Sequence, residues 1–260
     1  MYYVNLRKTN LSRQIRLINV LAFCIIIITG SGCRNKTNST KAVINSPEDV
    51  LVLNPGPDNP RNSEGDFITL NDGRILYIYT HYTGTSSDDH ANAFLAGRYS
   101  SDKGKTWTQK DAKIVEQEGT MNVMSVSLLR LQNGDIALFY LRKNSTTDCQ
   151  PMIRISKDEA MTWSEPVRCM TDKEGYFVLN NNRVIQLKNG RLLFAVALHQ
   201  SPGEEKANSV GRLWSYFSDD NGATWKPGEE VANPENIVTQ EPGLIELKNG
   251  DIMMFVRTMS

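Results

Sequence analysis

Glu241 and Arg257 frame the segment PGLIELKNGDIMMFV and bring a carboxylate and a guanidinium to one short stretch of sequence. A guanidinium binds a carboxylate through two parallel charge-assisted hydrogen bonds, and a carboxylate can give or take a proton. The two residues together are therefore suited to acid–base chemistry on an anionic substrate. A second interpretation remains open, in which they form a solvated ion pair at the rim of a sheet and have no function.

Three other segments repeat the pattern around Glu241. Each has an apolar run, then Leu-x-(Asn/Asp)-Gly, then a second apolar run, and the turn glycines are Gly73, Gly134, Gly190 and Gly250. An Asn-Gly or Asp-Gly pair between two such runs predicts a β-hairpin. The residue nine positions before each glycine changes chemistry from segment to segment, in the order Glu64, Ser125, Asn181 and Glu241. Because these residues stand where each hairpin begins, we expect their side chains to surround one pocket.

A second motif alternates with the hairpins and has the form Ser-x-Asp-x-(Gly/Ala)-x-Thr-Trp. It occurs as SSDKGKTW, SKDEAMTW and SDDNGATW. Three near-copies favour a structural turn over a metal site or a catalytic site, because an Asp carboxylate can accept the backbone N–H groups of a turn. We expect each Trp to pack between neighbouring repeats. The residues concerned are Asp102, Trp107, Asp158, Trp163, Asp220 and Trp225.

The spacing of the two motifs predicts the fold. A hairpin, a third strand, the Asp turn and a fourth strand recur in units of about 60 residues, which is the plan of an antiparallel propeller blade. The sequence therefore predicts an all-β protein, a β-propeller of which about three and a half blades are present. The segment DVLVLNP, residues 49–55, is expected to be the strand that closes the last blade, with its partner blade absent from this sequence.

The first 33 residues have the features of an export signal. Basic residues precede an apolar run at 17–28, and small residues lead to Cys33. Cys33 is the expected lipidation site of a lipoprotein, with ordinary cleavage nearby as the alternative. We expect residues 1–33 to be the signal, 34–47 a polar tether and 48–260 the propeller. The protein would then be exported, to be periplasmic, secreted or held at the outer membrane by a lipid anchor alone.

Composition narrows the range of partners. The sequence has 29 basic and 29 acidic residues, and the mature part contains no basic run, so no nucleic-acid partner is expected. His81, His90 and His199 are scattered, and neither a metal site nor a cofactor is predicted. Cys149 and Cys169 are compatible with a disulfide or with two free thiols, and both interpretations stay open.

With these motifs the sequence resembles the sialidase (neuraminidase) superfamily, which consists of six-bladed propellers with Asp-box repeats. The resemblance covers roughly residues 48–260. It implies that Glu241 assists a tyrosine nucleophile and that Arg257 and Arg61 bind the substrate carboxylate. It also implies an acid/base role for Asp89, with Asp88 as the alternative. The third arginine and the tyrosine of the family have no counterpart in this sequence, so the 260-residue chain alone is expected to be poorly stable and inactive.

One segment departs from the family pattern. The sequence reads Arg-Asn-Ser-Glu-Gly from Arg61, where the family has Arg-Ile-Pro. Glu64 has no role in the family pattern, and we expect it, with Asp88 and Asn181, to contact substrate. The function implied is an exo-alpha-sialidase-like hydrolase that releases terminal sialic acid with retention. The alternatives are a related hydrolase of another acidic sugar and a non-catalytic propeller that binds glycans or protein.

Overall fold

The computed structural model of the protein describes residues 2–6 and 50–259, and the predicted apolar run, Cys33 and the tether lie outside these ranges. The described residues contain strands and turns and no helix, which confirms the all-β prediction for this part of the chain. The sixteen strands are β1 (Tyr2–Leu6), β2 (Asn62–Thr69), β3 (Ile75–Tyr82), β4 (Ala93–Ser100), β5 (Ala112–Val115), β6 (Asn122–Arg130), β7 (Ile136–Ser145), β8 (Asp148–Ser156), β9 (Val167–Arg168), β10 (Tyr176–Val178), β11 (Ile185–Gln186), β12 (Leu192–Gln200), β13 (Arg212–Ser218), β14 (Lys226–Pro227), β15 (Val238–Glu246) and β16 (Ile252–Met259).

Three antiparallel units, each with four strand positions, follow one another and are called blades 1 to 3. Blade 1 is β2–β3–β4–β5 and blade 2 is β6–β7–β8–β9. In blade 3 the innermost position is divided between β10 and β11, which both pair with β12, and β13 and β14 follow outward. β15 and β16 form the first hairpin of blade 4, with β1 paired to the outer side of β16. Each unit begins with a predicted Asn-Gly or Asp-Gly hairpin.

Neighbouring blades are joined in two ways. Single parallel bridges link Ala93 to Asn122 and Cys149 to Tyr176, so the first strand of one blade touches the third strand of the blade before it. The larger contribution is apolar, because a separate buried cluster fills each space between consecutive blades. Burial of apolar surface contributes about 25 cal/mol per Å², so these clusters stabilise the packing of one blade against the next.

The Asp motif forms the same turn in each of the three blades. In blade 1 the Asp102 carboxylate accepts the Thr106 backbone N–H at 2.8 Å and the Thr106 hydroxyl at 2.6 Å. The Ser100 hydroxyl donates to Asp102 and accepts the Gly104 N–H at 2.8 Å. The same bonds recur at Asp158 and Asp220, where the donors are Thr162 and Thr224. The carboxylates are therefore occupied within their own turns.

The Trp of each motif packs on apolar side chains, but its neighbours differ between blades. Trp225 of blade 3 contacts Phe139 of blade 2 at 5.9 Å and Phe194 of its own blade at 4.9 Å between ring centroids. Trp163 packs against the cluster between blades 1 and 2. Trp107 contacts Phe67 and Tyr77, which belong to its own blade. Only the first two therefore have another blade beside them in the described part of the chain.

Three further observations concern the expectations from sequence. Residues 50–55 form no strand, because their backbone groups have no ladder partner among the described residues. Cys149 and Cys169 are buried free thiols. Across residues 2–6 and 50–259, no helix has the length and apolar character that crossing a bilayer requires.

Candidate functional site

Arg61 and Asp89 meet at the end of blade 1 opposite the Asp turn. Arg61 immediately precedes β2, and Asp89 lies on the loop between β3 and β4. The Arg61 guanidinium forms an ion pair with the Asp89 carboxylate, donates to the Ser87 carbonyl at 3.2 Å and lies over the Tyr82 ring at 4.7 Å. Partial burial raises the pKa of Asp89, but the hydrogen bond and charge of Arg61 outweigh it and leave that pKa below its usual range.

Asp88 and Asp89 have different surroundings. The Asp88 carboxylate accepts the backbone N–H of His90 at 2.8 Å, an arrangement that closes a local turn. Asp89 instead faces Arg61. Of the two carboxylates that the sequence left as alternatives, Asp89 is thus the one in contact with another candidate site residue.

Two buried polar side chains of blade 2 hold the backbone of Asp89. Lys143 donates from Nζ to the Asp89 carbonyl at 2.8 Å, and Asn122 donates from Nδ2 to the same carbonyl at 2.9 Å. Asn122 also donates to the Ala91 carbonyl at 2.8 Å. Since Lys143 is 1% exposed and Asn122 is 0% exposed, these bonds fix the loop in a place where water cannot substitute for them.

Lys143 also contacts a tyrosine that sequence reasoning did not single out. Its ammonium lies 5.3 Å from the centre of the Tyr176 ring, and His90 meets the same ring edge-on at 6.3 Å. Burial lowers the pKa of Lys143, although the charges of nearby acidic groups act to raise it. The alternation of β7 was the available sequence signal, because it places Lys143 on an inward position next to Arg142. A basic residue near the end of a strand is, however, normally expected to be exposed.

Glu64 lies three residues after Arg61 in the first strand of blade 1. Its Oε2 accepts a hydrogen bond from the Ser125 hydroxyl of blade 2 at 2.8 Å. Burial raises the pKa of the Glu64 carboxyl, and the Ser125 hydrogen bond and the charges of Arg61 and Lys143 only partly offset that rise. Two of the predicted ring residues, Glu64 and Ser125, are therefore in direct contact.

The ring residues share an uncommon backbone conformation. Glu64, Ser125 and Glu241 have φ of 50°, 61° and 50°, and each lies at a bulge in the pairing of its first and second strands. In blade 3 the residue with this conformation is Asn182, at φ 51°, and not the predicted Asn181. The register shifts because the innermost strand is interrupted between β10 and β11. Left-handed backbone at a residue other than glycine costs about 1–3 kcal/mol and is concentrated at functional sites.

Asn181 nevertheless reaches toward blade 1. Its Nδ2 donates to the Gly65 carbonyl at 3.4 Å, across the space between the first strands of blades 1 and 3. Asn181 therefore contacts the residue that follows Glu64, near the axis of the blades. It is nevertheless not the structural equivalent of Glu64.

Glu241 and Arg257 form the ion pair that their spacing suggested. Arg257 Nη1 lies 2.6 Å from Glu241 Oε1, and the pair is partly open to solvent, with side-chain exposures of 53% for Arg257 and 26% for Glu241. Gln240 pairs with Arg257 across β15 and β16. β16 thus returns the Arg257 guanidinium to the end of the hairpin at which β15 presents the Glu241 carboxylate.

A cavity of about 470 Å³ lies between His90, the neighbour of Asp89, and Glu241. Its walls include Glu241 from blade 4, Tyr176 and His199 from blade 3, and His90, the residue after Asp89 on the blade 1 loop. Asn208 and Gln240 add amide groups. An aromatic wall with several polar groups around it is the usual composition of a small-molecule site. In the described part of the chain, no group of three or more His, Cys, Asp or Glu residues could hold a metal ion.

Comparisons with known proteins identify the family and the fold of the chain. The sequence profile of the BNR repeat-like domain matches residues 78–260. A sialidase from Paraclostridium sordellii is 28% identical over 276 residues, an alignment that covers 94% of this chain and 64% of the relative. The chain thus spans less than two thirds of the length of this curated relative.

Two solved structures show the fold. A protein of unknown function from Dyadobacter fermentans superposes with a TM-score of 0.65 at 22% identity, covering 81% of this chain and 65% of its own. A Trypanosoma rangeli sialidase, solved with 2,3-difluorosialic acid as a covalent intermediate, gives a TM-score of 0.56 at 18% identity and covers 76% and 34%. The prediction of a partial propeller of the sialidase type is confirmed.

Proposed function

We propose a sialidase-like glycoside hydrolase function for this chain, which belongs to the BNR repeat-like domain family within the sialidase superfamily. The substrate would be a glycan that ends in sialic acid. The observation that carries this proposal is the cavity that runs from His90, beside Asp89, past Tyr176 to Glu241. It brings His90 of the blade 1 loop and Glu241 of blade 4 to one space large enough for a sugar.

The proposed roles follow from the chemistry of the substrate. Sialic acid carries a carboxylate on its anomeric carbon, and Arg61 and Arg257 would bind it as planar two-pronged donors. Each guanidinium already contacts a carboxylate within the protein, so each can position an anionic group. Substrate carboxylate would share or replace those internal partners. Asp89 would serve in the acid–base steps that protonate the leaving oxygen and activate water.

Glu241 would take the proton of a tyrosine nucleophile that the resemblance places outside this sequence. A neutral tyrosine approaches an anomeric carbon beside a carboxylate with less repulsion than an anionic nucleophile would meet. The net result would be hydrolysis with retention of configuration. The partner in this proposal is a sialylated or otherwise acidic glycan.

A test of this function uses the protein at its full genomic length, without its signal. The expected result is turnover of 4-methylumbelliferyl sialoside, with kcat/KM lowered by about 100-fold or more in Glu241→Gln and in Arg257→Lys, because a group needed in the transition state is lost. The exposed pair Arg212 and Glu230 provides matched controls, since it is an ion pair of 2.9 Å elsewhere on blade 3. Arg212→Lys and Glu230→Gln should leave the rate unchanged. Equal losses in both pairs would reject the assignment.

A second candidate function is a related hydrolase that acts on another acidic sugar. The observation that favours it is the contact between Glu64 and Ser125, because it adds a carboxyl group with no counterpart in the sialidase pattern to the site. A panel of aryl glycosides of uronic acids distinguishes the two. Faster turnover of one of these than of the sialoside would favour the second candidate.

A further inference from the structure

The loop that carries Asp89 is anchored twice, once by a side chain and once by the main chain. This loop, residues 83–92, joins β3 to β4, is largely exposed and is called the Asp89 loop. Its first anchor is the ion pair between the Asp89 carboxylate and Arg61. Its second anchor is the Asp89 carbonyl, which accepts hydrogen bonds from Lys143 Nζ at 2.8 Å and from Asn122 Nδ2 at 2.9 Å. Because both donors belong to blade 2, the loop of one blade is held by its neighbour.

Substrate would affect the two anchors differently. In the function proposed above, the carboxylate of sialic acid binds Arg61, and the Asp89 side chain then shares or loses its partner. With a side chain 62% exposed, Asp89 has little packing to hold it in place. The main-chain anchor is out of reach of substrate, because Lys143 is 1% exposed and Asn122 is 0% exposed. It therefore persists in the substrate-bound state, when the position of Asp89 matters for proton transfer.

A buried ammonium at this place is unfavourable for the fold. Lys143 donates to a main-chain carbonyl and not to a carboxylate, and in the described part of the chain no carboxylate lies in contact with its ammonium. Removing an ammonium from water costs free energy that a neutral acceptor and the nearby Tyr176 ring return only in part. Methionine, an unbranched and uncharged side chain of similar length, would fill the same space without that cost. Stability of the fold alone thus does not account for a lysine here.

The strand pairing places Lys143 between the Asp89 loop and the cavity. Across blade 2, Lys143 pairs with Asn122 on one side and with Cys149 on the other. Single parallel bridges extend this row to Ala93, which directly follows the loop, and to Tyr176, which lines the cavity. Paired residues project from the same face of a sheet, and the Lys143 ammonium lies against both the loop carbonyl and the Tyr176 ring. One side chain thus relates the position of the loop to that of the cavity wall.

We propose that Lys143 is a positioning residue of this site, and that its ammonium keeps Asp89 at the cavity while Arg61 is occupied by substrate. The proposal rests on the function proposed above, because Lys143 acts through the acid–base residue assigned there. Lys143 touches no substrate atom in this role and transfers no proton. A displacement of Asp89 by about 1 Å would lengthen its hydrogen bond to the leaving oxygen and slow the step that depends on that bond.

Leaving-group dependence tests the role in the full-length protein. Sialyllactose has a poor leaving group that needs protonation, whereas 4-methylumbelliferyl sialoside has a good one that needs little. Lys143→Met is expected to lower kcat/KM for sialyllactose by about 10-fold or more and that for the aryl sialoside by less than about 3-fold. Lys226→Met is the control and should change neither, because Lys226 is an exposed lysine of β14, directly after an Asp turn. Equal losses on both substrates, or no loss on either, would overturn the proposal.

A double-mutant cycle shows whether Lys143 acts through Asp89. Asp89→Asn removes the carboxyl group and keeps the main-chain carbonyl with its hydrogen bonds. In that background, Lys143→Met should lower kcat/KM for sialyllactose by less than about 2-fold further, because no carboxyl group remains to be positioned. Loss of the same factor in both backgrounds would show that Lys143 acts independently of Asp89 and would refute the role.

Thermal unfolding separates positioning from support of the fold. Lys143→Met leaves the Asp89 carbonyl bonded to Asn122 and ends the burial of a charge, so the variant should unfold at or above the wild-type midpoint. A midpoint lowered by more than about 5 °C, or a variant that does not fold, would mean that the lysine supports the fold and would contradict the proposal.

A wild-type protein that hydrolyses neither sialoside would refute the proposed function, and the anchor would then be measured by itself. The measurement is hydrogen–deuterium exchange of residues 83–92 in an Arg61→Ala background, because that substitution removes the first anchor as substrate would. Exchange is expected to be about 10-fold faster or more when Lys143→Met is added, and unchanged when Lys226→Met is added. Unaltered exchange with Lys143→Met would overturn the role of Lys143.

Discussion

The two ends of each blade carry carboxylates in opposite situations. At one end, the Asp turns repeat with the same bonds three times, and each carboxylate is used up within its own turn. At the other end, one residue with left-handed backbone recurs in each blade, but its identity changes from Glu64 to Ser125, Asn182 and Glu241. The difference teaches that repetition of both backbone and side chain marks the scaffold, whereas repetition of the backbone alone marks the place where chemistry can vary.

The pKa values express the same contrast. Hydrogen bonds from Thr106 lower the pKa of Asp102 to about 2. Burial against a neighbouring blade raises the pKa of Glu64. A carboxylate that is satisfied locally thus stays ionised and inert, and one that depends on other blades keeps its proton longer.

The largest expected effect separates a covered Asp turn from an uncovered one. Trp225→Ala removes a ring that contacts Phe139 and Phe194 between two blades, and we expect a loss of about 3 kcal/mol in the free energy of unfolding. Trp107→Ala should cost about 1–2 kcal/mol, since Phe67 beside it is already 55% exposed. Urea unfolding of both variants measures the difference. Equal losses would show that the turn, and not the neighbouring blade, determines the contribution of the Trp.

Next in size is the loss of a turn carboxylate. Asp220→Ala removes the acceptor of the Thr224 N–H and hydroxyl bonds at 2.9 and 2.5 Å, and we expect a cost of about 1–2 kcal/mol at this exposed position. Asp58→Ala serves as the control, because Asp58 is exposed and accepts no described side-chain hydrogen bond. A loss no greater than that of the control would reject the scaffold role of the turn.

A reciprocal exchange tests the fifth position of the Asp turn. Gly222→Ala would place a Cβ 2.4 Å from Ile153 of blade 2, and we expect a loss of about 1–3 kcal/mol. Ala160 has φ 64° and is 5% exposed. Ala160→Gly relieves about 1 kcal/mol of left-handed strain and loses about 0.8 kcal/mol of methyl burial, so the net effect should lie within about 0.5 kcal/mol of zero. Thermal unfolding of both variants measures the two effects. If the turn backbone alone governed this position, Gly222→Ala would lose stability and Ala160→Gly would gain a similar amount.

The smallest effect concerns pH and has opposite signs at the two ends of the blade. Because the folded pKa of Glu64 is raised, its contribution to stability is present below the unfolded pKa of about 4.5 and is lost as pH rises through the folded pKa. Glu64→Gln should therefore gain stability over wild type as pH rises from about 4 to about 7. Asp102 acts in the other direction, since its contribution is lost as pH falls from about 3.8 toward about 2. Urea midpoints for Glu64→Gln and Glu229→Gln across this range check the sign.

Sequence reasoning was most successful where interactions are local. The Asn-Gly and Asp-Gly turns, the strand alternation and the spacing of the Asp motifs predicted the blades, because each depends on bonds within a few residues. It was less successful at blade 3, where Asn182 and not Asn181 occupies the left-handed position. The interruption between β10 and β11 has no marker in the repeat. Of the segment 49–55, expected to close the last blade, residues 50–55 form no strand, because an apolar run needs a partner edge to become one and the described residues provide none.

The contacts that define the site came from pairs far apart in sequence. Lys143 reaches Asp89, and Ser125 reaches Glu64. No periodicity links such residues, and a lysine in a strand gives no sign that it will be 1% exposed. The proximity of Glu241 to His90 through one cavity was likewise visible only after the blades had been arranged around their axis.

The sequence by itself determined the repeating strands, the turns and the positions where side-chain chemistry changes, because hydrogen bonds over two to four residues and the alternation of strands are written into adjacent positions. The tertiary structure decided which carboxyl group has its pKa lowered and which has it raised. That outcome depends on burial and on charges from other blades: Arg61 beside Asp89, and Ser125 and Lys143 near Glu64. Desolvation and Coulomb energy are properties of distance in space, and distance along the chain does not report them.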